Sequence, residues 1–137
     1  MKLFPNLVRA VVEAIDEIFH QNRYADKVIE KVLKSNPKWG ARDRGFIAET
    51  VYDMVRWRRL IEYLSPSGDL YHLFGTYWLM HDRTLPDWRE FKGLHPDHIS
   101  RKYRQLDNRA ILQSIPDWLD EMGSKQLGEK WEKEIDT

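Results

Sequence analysis

A chain of 137 residues is long enough for one domain built around a single core. With 42% hydrophobic and 32% charged residues, no apolar run of membrane-spanning length and no export signal in MKLFPNLVRA, it reads as a globular cytoplasmic protein. The absence of cysteine excludes thiol chemistry, and the balance of 22 basic against 22 acidic residues argues against strong independent binding to a polyanion.

Taken in order, Leu7, Val8, Val11, Val12, Ile15, Ile18 and Phe19 recur at helical spacing, with Pro5 suited to the first turn. Gln21 and Asn22 interrupt the pattern. Ala25, Val28, Ile29, Val32 and Leu33 then define a second helix that Ser35-Asn36-Pro37 ends, because proline disfavours helix at the residue before it. Lys38-Trp39-Gly40 is a connector, and Asp43 stands where an N-cap is expected.

From Arg42 to Leu64 the pattern predicts one continuous helix at the centre of the fold. Phe46, Ile47, Thr50, Val51, Met54, Val55, Trp57 and Ile61 fall on one broad arc, more than a single neighbour can bury. The other arc carries Glu49, Tyr52, Asp53, Arg56, Arg59 and Tyr63. Ser65-Pro66-Ser67-Gly68 stops this helix, Asp69 caps the next, and Leu70, Leu73, Phe74, Tyr77 and Trp78 give that helix a strongly apolar character.

After His81 the period is lost. Thr84-Leu85-Pro86-Asp87-Trp88 and Phe91-Lys92-Gly93 read as a loop that lays its aromatics over the core, and Pro96-Asp97 opens a short helix carrying Ile99, Tyr103 and Leu106. Ile111, Leu112 and Ile115 lead to Pro116, then a helical turn at Asp117-Trp118-Leu119 and a last amphipathic helix through Leu127, Trp131 and Ile135. The tail ends in or just after a helix, as a chain cut short would. No stretch alternates long enough to be a strand, so the fold class is all-α, a helical bundle with a short helical C-terminal extension.

Little here supports catalysis. Glycines are scattered singly, which excludes phosphate-cradling loops, and Glu49 and Asp53 read as an exposed, Arg56-bridged pair rather than an acid–base couple. His95-Pro96-Asp97-His98 reads as surface loop, with no metal expected. The arginines carry more. Arg44 and Arg58 suit structural work, Arg44 by tying neighbouring helices and Arg58 by laying its stem on the core. Arg56 and Arg59 beside Tyr52 and Tyr63 suit phosphate and unpaired bases.

The same residues carry a resemblance. Arg42-Asp43-Arg44-Gly45-Phe46-Ile47, Val51-Tyr52 and Val55-Arg56-Trp57-Arg58 resemble the N-terminal domain of the Fmu/Sun (RsmB-type) RNA cytosine-5 methyltransferases. That domain is similar in fold to the antitermination factor NusB. The match reaches back through Tyr24-Ala25-Asp26-Lys27-Val28 and forward to Leu60-Ile61, and Ser114-Ile115-Pro116-Asp117-Trp118-Leu119 with Leu127-Gly128 and Trp131 resembles the family's segment leading to its catalytic part. Two ordered blocks, roughly two-thirds of the chain, weigh more than one motif. The chain departs from the family at Asp53, where glycine is usual, and through Asp82–His98.

The resemblance implies a NusB-like core over 1–82, an irregular loop and short helix over 83–113, and a linker over 114–137 leading to a catalytic domain. It implies RNA, ribosomal in kind, as partner, and the residue pattern itself offers Arg42, Arg44, Tyr52, Arg56, Arg59 and Tyr63 as the interface. The family's cysteine nucleophile and S-adenosylmethionine site are missing from these residues, so no cofactor is expected on them and the methyl transfer would lie in the absent domain. A module that docks on protein alone is the competing expectation.

Overall fold

The computed structural model describes residues 2–106, and over these it is all-α, with no strand. Six α-helices follow in order: α1 Pro5–His20, α2 Ala25–Ser35, α3 Ala41–Arg56, α4 Arg58–Leu64, α5 Leu70–Met80 and α6 Pro96–Arg104. A 3-10 turn, Arg89–Phe91, lies between the last two. The expectations for Ile111–Ile115, Trp118, Trp131 and the linker 114–137 fall outside the described residues. The chain forms two compact units, one up to Arg56 and one from Trp57 onward.

In the first unit, α1 packs on α2 and α3, and α2 packs on α3. Pro5 occupies the first turn of α1, where its missing N–H costs nothing and its fixed φ suits the helix. Leu7, Val8, Val11, Ile15, Ile18 and Phe19 are buried as their spacing requires, each worth about 1.5–3 kcal/mol of burial when fully covered. The turn into α2 passes through Asn22 at φ 54°, a left-handed conformation that asparagine tolerates better than most residues. α2 buries Val28, Ile29 and Val32 and ends ahead of Pro37.

Two sequence expectations change here. The helix from Arg42 to Leu64 is not continuous: Trp57, at φ −106° and ψ 24°, separates α3 from α4. Neither glycine nor proline marks the break. The apolar arc serves two cores, with Phe46, Ile47, Thr50, Val51 and Met54 buried from α3 and Leu60, Ile61 and Leu64 buried from α4. Asp43 is also not a cap. The helix begins at Ala41, and the Arg44 amide bonds the Gly40 carbonyl at 3.0 Å, so Asp43 lies in the first turn.

In the second unit α5 is the buried element. Every residue from Leu73 to Met80 is covered, which makes α5 the centre of its own core, as an all-round apolar helix must be. Asp69 caps it, accepting from the amides of Tyr71 and His72 at 3.0 and 3.2 Å. The loop after His81 covers this core: Phe91 and Leu94 are buried, and the 3-10 turn packs on α5. α6 adds Ile99 and Tyr103 and contacts α4.

Candidate functional site

Of the residues expected at an interface, Arg42, Arg44, Tyr52 and Arg56 lie on α3 in the first unit, and Arg59 and Tyr63 on α4 in the second. On α3, Tyr52 and Arg56 are one turn apart and both exposed, and Arg42 is exposed in the first turn. Tyr52 is 47% exposed, and its hydroxyl donates to Asp26 Oδ1 on α2. That bond to a carboxylate holds the phenol above its usual pKa of 10.0, with desolvation and the Asp26 charge adding to the effect. The ring thus stands fixed by its tip with its body open to solvent.

Arg44 does different work. It is half-buried, and its Nη1 donates to the Leu33 carbonyl at 3.1 Å. Leu33 lies in the last turn of α2, whose carbonyls have no partner within the helix, so Arg44 closes the C-terminal end of α2. The helix tie expected of Arg44 is therefore made to a carbonyl.

On α4, Arg59 is exposed, while Tyr63 is half-buried with the Lys102 ammonium 4.8 Å from its ring centroid. One face of that ring is already engaged by a cation from α6. Arg58 is half-buried, and its Nε donates to Glu62 Oε1 at 2.8 Å. His95 and His98 are exposed with their rings edge to face at 5.0 Å, and the described residues contain no cluster of three metal-ligating side chains.

The sequence reading passed over a group on the first unit. Tyr24 is 82% exposed at the N-cap of α2, where its side chain makes no capping bond. An N-cap favours a short oxygen-bearing residue, so neither helix stability nor burial accounts for a large ring there. Arg23, Lys27, Val28 and Lys31 share a shallow concavity of about 290 Å³ with Tyr24. Glu17 pairs with Lys31 and lies 3.8 Å from Arg23, and the Glu30 carboxylate lies within the field of Lys27, so three cations stand with two carboxylates beside them. The signal was present. Val28, Ile29 and Val32 claim one side of α2, which leaves Lys27 and Lys31, four apart, on the other.

An exposed ring among cations can stack on a base while holding the neighbouring phosphates, and Tyr52, bonded to Asp26 of α2, adds a second ring in the same unit. Comparison with known protein families, curated proteins and solved structures gives no match.

Proposed function

We propose that this chain is the RNA-positioning domain of a ribosomal RNA cytosine-5 methyltransferase of the Fmu/Sun type, with a NusB-like fold and a cytoplasmic setting. It holds unpaired RNA for a catalytic domain that supplies the nucleophile and S-adenosylmethionine. No residue here is assigned to that cofactor. The observation that carries the reading is Tyr24, an 82% exposed ring at an N-cap where its side chain makes no capping bond, set among Arg23, Lys27 and Lys31. Tyr52 and Arg56 on α3 and the two-block resemblance support it, and Arg42 and Arg59 add exposed cations.

The test is binding of a single-stranded ribosomal RNA oligonucleotide across a salt series. Neutralising four phosphates gives a slope of about −3 in log affinity against log salt. Tyr24→Ala removes one stacking platform, a loss of about 1–3 kcal/mol. A flat salt response with Tyr24→Ala unchanged removes RNA from the account.

Charge balance and Phe4, which is 48% exposed, favour the second reading, a module that docks on its own catalytic domain or on another protein. In that case Phe4→Ser weakens association with the protein partner, and salt has little effect.

A further inference from the structure

The second unit holds a series of four near-parallel rings. Trp88 stacks on Phe91 with centroids 5.4 Å apart and planes 13° apart; Phe91 stacks on Phe74 at 6.1 Å and 21°; Phe74 stacks on Trp78 at 5.9 Å and 17°. The inner end is closed, since Phe74 and Trp78 are at most 1% exposed and the Arg83 guanidinium lies 4.4 Å from the Trp78 ring centroid. The outer end differs. Trp88 is half-buried, and it lines a cleft of about 520 Å³ in the same unit.

That volume is within the range of small-ligand sites, about 300–1,000 Å³. Leu79, Leu85 and Leu94 make part of the wall apolar. The charged side chains are unequal in sign, with Arg83 and Lys92 against one carboxylate, Asp87, and His95 adds an imidazole. Gly93, at φ 92°, turns the backbone between Lys92 and Leu94. His72 fixes this turn from α5, its ring bonded to the Lys92 carbonyl at 2.8 Å and to Ser67 Oγ at 2.6 Å. The cleft therefore has a held wall, an aromatic platform backed by three further rings, and an excess of cationic donors.

We propose that this cleft binds a nucleotide, the base stacking on Trp88 and the phosphate held by Lys92 and His95, with Arg83, seated on Trp78, adding its charge to the field. A planar π-system extends the ring series by one member, and a phosphate answers the excess of positive groups. An apolar peptide would use the leucines but leave the cations idle. The ligand is either a free mononucleotide or one nucleotide of a strand, and these share the same chemistry. The site belongs to the second unit and does not depend on the assignment of Tyr24.

The test is a titration of the isotopically labelled full chain with adenosine 5′-monophosphate, adenosine and hexa-adenylate, followed by NMR. Saturable shifts of the Trp88 indole N–H and the Gly93 amide are expected with the phosphorylated probes, with adenosine about tenfold weaker. A response to the mononucleotide assigns a free-nucleotide site; a response to hexa-adenylate alone assigns a strand site. Trp88→Ala weakens binding about tenfold or more, Trp88→Phe retains most of it, and Lys92→Gln flattens the salt dependence. The mononucleotide response is read at Trp88 and Gly93 and the RNA reading at Tyr24, so failure here and failure of the RNA reading are separable. The proposal is overturned if no probe shifts these resonances at millimolar concentration, if adenosine binds as well as its phosphate, or if only an acidic aromatic peptide binds.

Discussion

At the scale of single residues, the phenol of Tyr52 reports on how α2 and α3 are joined. Its pKa is raised, first by the hydrogen bond to Asp26, then by desolvation and by the Asp26 charge. The folded value exceeds the unfolded one, so the bond's contribution is full below about pH 10 and disappears as pH rises through the folded value. The 295-nm difference titration between the native chain and Tyr52→Phe isolates this group. Asp26→Asn is expected to move its midpoint back toward 10.0, and an unmoved midpoint would show that the bond is not made in solution. Gly75 is a second informative position. A Cβ there would overlap Leu94 and press on Phe91 and Leu85 at 3.2 and 3.3 Å. Gly75→Ala is expected to cost about 1–3 kcal/mol in urea unfolding. Paired with Leu94→Ala, it should cost less than the two single losses summed, because the truncated side chain gives it room.

At the scale of elements, caps separate α3 from α5. Asp69 accepts two backbone amides at the start of α5, whereas Asp43 sits inside the first turn of α3 and interacts with its N-terminus only through the dipole. Asp69→Ala should therefore cost about 1 kcal/mol, and Asp43→Ala roughly 0.3–1 kcal/mol that diminishes with added salt. Equal losses at high salt would contradict the difference in geometry. The break at Trp57 has no local cause of this kind. What distinguishes its two sides is the set of partners, α1 and α2 for α3, α5 and α6 for α4.

At the scale of the whole molecule, neutrality is an average over unlike surfaces. The concavity around Tyr24 holds three cations with Glu17 and Glu30 at its edge, and the cleft at Trp88 holds Arg83 and Lys92 against Asp87. Such patches permit polyanion binding by a chain of zero formal charge, at the modest affinity that a few phosphate contacts provide. If Lys27 contacts a phosphate, Lys27→Gln should reduce the salt slope for single-stranded RNA by about 0.7 and leave unfolding by urea nearly unchanged. A slope unaltered by that substitution would move the contact elsewhere. No helix among the described residues is long and apolar enough to cross a membrane.

The sequence by itself determined most of the helices, the start of α1 at Pro5, the cap at Asp69, the stop at Pro37 and the all-α class. These follow from spacing and backbone chemistry within a few residues of each other, which a linear reading captures. It also marked Tyr52 and Arg56 as one face, since residues four apart share a side of any helix. Tertiary structure alone decided three things: that the run from Arg42 to Leu64 divides at Trp57, that Arg44 serves the end of α2, and that Trp88, Phe91, Phe74 and Trp78 form one series of rings. Each depends on groups many residues apart whose meeting is set by how apolar surfaces pack, and no periodicity along the chain records that.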